Sequence, residues 1–177
     1  MQIAPPINIK AWIEENRHLL KPPVGNQVVY KDTEFIIMVV GGPNTRKDYH
    51  VDVAEEFFYQ LEGDMILKVY ESNSFHDIPI NEGEIFLLPP LIPHSPQRFA
   101  DTVGLVIERN RKPGELDGFQ WYCDSCGTLL YEKFIQLKDI VAQLPPLFEN
   151  YWSNESHRTC ERCGEIQQPP EKQNDKN

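Results

Sequence analysis

The run EEFFYQLEGDMILKVY, residues 55–70, decides the fold. Two short pieces rich in aromatic and branched residues, EEFFYQL and MILKVY, flank the turn EGD. Such pieces read as neighbouring β-strands. In the first, side-chain alternation puts Glu56, Phe58 and Gln60 on one face and Glu55, Phe57, Tyr59 and Leu61 on the other. Parity alone leaves either face as the inner one. A site inside a small barrel puts Glu56 inward.

The same texture extends from about residue 28 to 134. QVVY, EFIIMVV, HDIPI, EIFLL, VGLVIER, FQWYC and TLLYEKF are further strand candidates, broken by GGPN, ESNS, NEG, PPLIP and KPGELDG. Many short strands at near-even spacing, without long helices between them, predict an all-β antiparallel sandwich or small barrel. Residues 8–20 read as an N-terminal helix capped by Asn8 and ended by Pro22-Pro23. Residues 136–152 carry a helical pattern interrupted by Pro145-Pro146. The polar stretch from 167 to 177 is expected to be a disordered tail.

The chain has 177 residues and a net charge of −10, which argues against non-specific binding to nucleic acid or an anionic membrane. No apolar run reaches membrane-spanning length and the N-terminus does not read as a signal peptide, so a cytoplasmic protein with reduced thiols is expected. The four cysteines therefore read as metal ligands. Cys123 and Cys126 form one Cys-x-x-Cys knuckle, and Cys160 and Cys163 form another. That spacing suits a tetrahedral thiolate site for Fe or Zn. Glycine follows the second cysteine of each knuckle, as a tight turn requires. With all four positions filled, the site should be structural. It would pin residues 120–166 onto the barrel, and its loss should weaken folding while sparing any chemistry.

A second constellation is His50, Glu56 and His94. Two imidazoles and a carboxylate suit non-haem Fe(II) with open positions, or catalytic zinc with a bound water. Asp52 is expected in a turn or supporting role. His18, His76 and His157 read as structural or surface residues. Arg46 lies four before His50, and Arg98 lies four after His94. Buried guanidinium groups need partners, and a carboxylate suits their fork. Glu108 ends an apolar run and pairs with Arg46 or Arg98, or else meets a substrate. A divalent metal with Glu56, Glu108, Arg46 and Arg98 carries +2, which favours a small dianion.

These residues fit the two motifs of the cupin superfamily. His50, Asp52, Glu56 and Gly63 follow the first, with Asp52 in place of a histidine. Gly83, Pro89, His94 and Arg98 follow the second, with Leu91 in place of a glycine and Arg98 in place of an asparagine. Together with KPPVGN, VVGGPN, FLLPP, HSPQR, VIER and LPPLFE, the pattern resembles the 3-hydroxyanthranilate 3,4-dioxygenase family over residues 7–166. The resemblance implies a cupin double-stranded β-helix, or jelly-roll barrel, over 1–160, with an N-terminal helix and a rubredoxin-like C-terminal knuckle. It implies Fe(2+) on His50, Glu56 and His94, substrate binding by Arg98, Glu108 and Glu56, and Arg46 beside the O2 site. It implies opening of the 3-hydroxyanthranilate ring with O2, in tryptophan catabolism by the kynurenine pathway towards quinolinate and NAD biosynthesis. A homodimer is implied as well. The rivals are another cupin enzyme, such as a zinc sugar isomerase, and a non-catalytic cupin adaptor. The trio Arg46, Arg98 and Glu108 suits a small aromatic acid better than a neutral sugar, and an intact metal triad argues against a dead barrel.

Overall fold

The computed structural model describes residues 3, 5–22, 25–138 and 140–170. Among the described residues, eleven strands follow one helix. The strands are β1 (Asn26–Val28), β2 (Phe35–Gly41), β3 (Asp48–Val51), β4 (Glu56–Glu62), β5 (Met65–Glu71), β6 (Ser74–Ile80), β7 (Ile85–Leu88), β8 (His94–Arg98), β9 (Val103–Arg109), β10 (Asp117–Tyr122) and β11 (Leu129–Ile135). All pairings are antiparallel. A five-stranded sheet runs β1-β2-β9-β4-β7, and a six-stranded sheet runs β11-β10-β3-β8-β5-β6. The expected all-β jelly-roll barrel is present.

The interior holds Met38, Phe58, Met65, Leu67, Val69, Ile80, Leu88 and Val106, all buried. They come from both sheets, so burial of apolar surface joins the two layers. The parity question resolves here, because Glu56, Phe58 and Gln60 are the buried set of β4.

The N-terminal helix, α1 (Ile9–Asn16), begins where the Asn8 side chain accepts from the Ala11 N–H at 3.1 Å. It lays Ile13 on Val39 and Val103, on the outer face of the five-stranded sheet. Residues 17–19 continue it as a 3-10 turn.

The C-terminal helix, α2 (Ile140–Ser153), differs from expectation, since it runs through Pro145 and Pro146 without a break. Each proline removes one N–H donor and costs helix stability. Packing offsets this. Tyr151 stacks on Trp121 at 4.3 Å, and Phe148 meets Phe119 and Trp121 edge-on. A short helix, α3 (Glu155–Arg158), leads to the second knuckle.

Gln167 was expected in the disordered tail. It is buried, accepts from the Tyr151 hydroxyl at 2.6 Å and donates to the Tyr122 carbonyl at 2.8 Å. Residues 171–177, the rest of that stretch, lie outside the described residues.

Two strands escaped the sequence reading, β3 and β8. DYHV and HSPQR lack apolar alternation, and β8 contains Pro96. The pairing of β8 with β3 is limited to His50 opposite His94, so a proline two residues on removes no ladder bond on that side. The turn before β8 keeps the backbone that a glycine would favour. Leu91 has φ +64° and donates its N–H to the Asp52 carbonyl at 2.7 Å. A side chain in that region costs about 1–2 kcal/mol.

Candidate metal and substrate site

β3, β4 and β8 bring His50, Glu56 and His94 together, with their ligand-type atoms all within 4.8 Å of one another. The pairing of His50 with His94 puts two imidazoles side by side, their rings 5.2 Å apart. The hydrogen bonds around each ring fix its tautomer. His94 Nδ1 donates to the Ile92 carbonyl at 3.0 Å, so in the neutral ring Nε2 holds the lone pair. That Nε2 lies 2.8 Å from Glu56 Oε2, yet Glu56 Oε2 has no hydrogen-bond partner. A neutral His94 would set two acceptors face to face in a buried place, so a cation is needed there: either a proton, which burial opposes on His94 but Glu56 favours more strongly, or a metal. His50 Nε2 meets the carboxylate of Asp117 at 2.8 Å. An ionised carboxylate only accepts, so Nε2 carries the hydrogen and Nδ1 keeps its lone pair. The donor set fits a divalent metal.

Burial pushes the Glu56 carboxyl up, but His94, His50 and Arg111 outweigh it and hold the group below the usual carboxylate range. Directly across the β4–β9 ladder sits Glu108. Here burial wins. Arg111 pulls the carboxyl down and Glu56 adds to the rise, so Glu108 ends above its ordinary value. Two facing carboxylates thus differ in their readiness to hold a proton, the usual condition for dividing acid and base roles.

The pairing expected for Glu108 is corrected. Neither Arg46 nor Arg98 holds it. Arg111 does, at 2.7 Å, and Arg111 also meets Asp117 at 2.7 Å and Asp52 at 3.1 Å. Arg111 and Asp117 lie in ERNRKPGELDG, which reads as a charged connector. Its density of opposite charges before a strand was the available signal. Asp52 takes the expected supporting role, capping the turn by accepting from Ala54 N–H at 2.9 Å.

Arg46 is paired too. Its Nε reaches both Asp48 oxygens at 3.1 Å, and its outer nitrogen is closer still. Asp48 outweighs burial and holds the guanidinium above its ordinary range. Arg98 differs from both. It is 3% exposed, and among the described residues no carboxylate is in ion-pair contact with it. Its side-chain partner is the neutral Gln60 Oε1, at 3.1 Å. Burial pulls the guanidinium down to about 10. The expected surplus of +2 is also corrected. With Asp48, Asp52, Asp117 and Arg111 included, five carboxylates face three guanidiniums, so a divalent ion brings the set to neutrality. The attraction for an anion is local to Arg98.

His50, Glu56, Arg98, Glu108 and Arg111 line a cavity of about 870 Å3 with apolar walls from Met38, Phe58, Val106, Phe119, Phe148 and Trp152. A larger, open groove of about 1150 Å3 lies on the outer face of the six-stranded sheet beside the first knuckle. None of His50, Glu56, His94, Arg98 and Glu108 lines it.

The four cysteines form the second cluster. All four Sγ atoms lie within 4.8 Å of one another, with Cys123 3.6 Å from Cys163 and Cys126 3.5 Å from Cys160. The two knuckles repeat one hydrogen-bond pattern. Gly127 N–H donates to Cys123 O at 2.9 Å, and Gly164 N–H donates to Cys160 O at 2.8 Å. Gly127 has φ +70° and Gly164 φ +77°, the left-handed values the turns need. Four thiols converging without a disulfide fit a tetrahedral metal.

A family model for 3-hydroxyanthranilic acid dioxygenase matches residues 1–152. A 3-hydroxyanthranilate 3,4-dioxygenase of Xanthomonas euvesicatoria pv. vesicatoria is 56% identical over 170 residues, 96% of each chain. One from Jannaschia sp. is 55% identical and covers 93% of each. A solved cupin-2 domain-containing protein of Shewanella frigidimarina aligns with 59% of this chain and 94% of its own, at 16% identity and a TM-score of 0.48. Across nearly its whole length, then, the chain belongs to the 3-hydroxyanthranilic acid dioxygenase family.

Proposed function

We propose that this enzyme uses Fe(II), held by His50, Glu56 and His94, to open the ring of 3-hydroxyanthranilate with O2. The product would be 2-amino-3-carboxymuconate semialdehyde, on the kynurenine route from tryptophan through quinolinate to NAD. When bound, the metal supplies the redox chemistry that lets O2 attack the electron-rich ring next to its hydroxyl and amine. The observation that carries the reading is Arg98, a buried guanidinium with a neutral partner at the cavity wall.

The chain's own residues have distinct tasks. Arg98 takes the substrate carboxylate in its fork and fixes the ring's orientation. Glu56 lies beside the ring. Glu108, with its raised proton affinity, accepts the proton of the hydroxyl or returns one later. Arg46 stabilises negative charge that develops on oxygen, with Asp48 holding the guanidinium in place. Phe58, Phe119 and Phe148 keep the cavity dry.

The cysteine cluster holds a second Fe or Zn and is structural. Phe35, Ile85 and Leu87 stand exposed on the outer face of the five-stranded sheet, which supports a homodimer closed by that face. Light scattering of the pure protein tests it. A cytoplasmic location is in keeping with four reduced cysteines.

The deciding experiment is anaerobic loading with Fe(II), then addition of 3-hydroxyanthranilate and air while the product's absorbance is followed. Rapid product formation with Fe(II) and none with Zn(II) supports the reading. No product from protein carrying iron at His50, Glu56 and His94 overturns it. Glu108→Gln should lower kcat by about 10²-fold or more, within the range of general acid–base effects, while retaining iron. A normal rate would remove the proton role.

A further inference from the structure

Arg98 reaches the cavity from a seat that is built around it. On β4, Gln60 is 1% exposed and sits behind the guanidinium, away from the cavity wall. Its two amide atoms are told apart by their neighbours. Nε2 donates to the Glu62 carbonyl at 3.2 Å, and Oε1 accepts from Arg98 at 3.1 Å. A flipped amide would set an NH2 against the guanidinium and a carbonyl against a carbonyl, so the orientation is fixed.

The partner position on β9 is Gly104, directly opposite Gln60 in the ladder. A Cβ there would stand 2.4 Å from one terminal nitrogen of Arg98, 3.0 Å from the other and 2.7 Å from Gln60 Oε1. The guanidinium therefore occupies the space where residue 104 would carry its side chain. The ladder shifts register between Gln60 and Glu62, and Glu62 goes outward to Arg17 at 2.9 Å. The nearby acid is thus turned away from Arg98. The backbone of Arg98 is held as well, by reciprocal bonds with Asn44 at 2.9 Å.

Glu56 acts on Arg98 through space without an ion-pair contact, and the hydrogen-bonded partner is neutral and fixed, so the guanidinium keeps its fork open to an anion. A carboxylate at position 60 would differ by one atom and would neutralise it. We propose that Gln60, seated opposite Gly104, is a specificity-determining residue: it orients Arg98 while leaving its charge free for a carboxylate on the substrate ring. The inference rests on the reading of Arg98 given under Proposed function and adds a cause for its selectivity. Gln60 acts through Arg98 and is a positioning residue.

The test compares two ligands that differ by the carboxylate alone, 3-hydroxyanthranilate and 2-aminophenol. Both are titrated anaerobically into metal-loaded enzyme, and the ratio of their dissociation constants is the readout. In Gln60→Glu the preference for 3-hydroxyanthranilate should fall at least tenfold, with KM for it rising by more than kcat falls. A preference within twofold of the parent overturns the proposal. Should Gln60→Glu fail to fold, Gln60→Leu removes the acceptor without adding charge. It should lose at least threefold of the preference through a loosened Arg98, and an unchanged ratio there overturns the proposal equally. Arg98→Leu separates the two levels. If it keeps the preference, the reading of Arg98 itself fails. If it loses the preference while the Gln60 variants keep it, Arg98 stands and the role of Gln60 falls.

Discussion

Arg111 touches Asp52, Glu108 and Asp117 at once, and it is itself largely buried. Three buried carboxylates depend on one cation, so removing it strands them. Arg111→Met should destabilise the fold by about 3–5 kcal/mol, the usual penalty for breaking a buried pair from one side. Urea denaturation checks this, and a loss below about 1 kcal/mol would mean that water replaces the guanidinium. Asp117 gives a pH prediction. Burial pushes its carboxyl up, but bonds from His50 and Arg111 outweigh that and lower it below its ordinary value. A folded value below the unfolded one stabilises the fold at pH above about 4, and the gain disappears as pH falls through the folded value. Asp117→Asn should therefore flatten the acid limb of stability below about pH 4. Melting temperatures taken between pH 7 and pH 3 test it, and a parallel displacement of the whole curve would count against this sign.

Helix α2 forms against its own sequence. Two consecutive prolines argue for an interruption. The stack of Tyr151 on Trp121 and the contacts of Phe148 supply enough burial to carry the helix through. This is tertiary packing overriding local propensity. The hydroxyl of Tyr151 also satisfies buried Gln167, which ties the end of the described chain to β10. Tyr151→Phe leaves that Gln167 oxygen without its donor and should cost about 1–3 kcal/mol. Thermal unfolding checks it. No loss would mean that Gln167 finds another donor. Strands β3 and β8 show the same principle, since their pairing is set by neighbouring strands and not by their own alternation.

The two metal-type clusters are physically linked through the chain between them. Lys47, next to Arg46, reaches Asp124 of the first knuckle at 2.6 Å, and Gln167 donates to the same side chain at 2.9 Å. Leu144, Pro145, Phe148 and Trp152 line the cavity beside Arg98, and the knuckles bracket this segment. Spacing alone leads to the expectation that loss of the cysteine site spares the chemistry; the packing of this segment along the cavity leads to a different expected outcome. Cys160→Ser should lower the melting temperature and also raise KM for 3-hydroxyanthranilate several-fold, because the cavity wall loosens with the knuckle. A destabilised variant with a parental KM would separate the wall from the cysteine site.

The sequence by itself determined the β-rich barrel, the N-terminal helix with its Asn8 cap and the two cysteine knuckles. Those features are local. Alternation, capping and fixed spacing each act within a few residues. It also singled out His50, Glu56, His94, Arg98 and Glu108, because their motif spacing can be read in one dimension. Only the tertiary structure decided who pairs with whom. Arg111 proved to be the partner of Glu108, Asp48 the partner of Arg46, and neutral Gln60 the seat of Arg98. The physical reason is that an ion pair is chosen by distance and burial after the sheets close, and Gln60 and Arg98 stand 38 residues apart in the chain until two sheets bring them together.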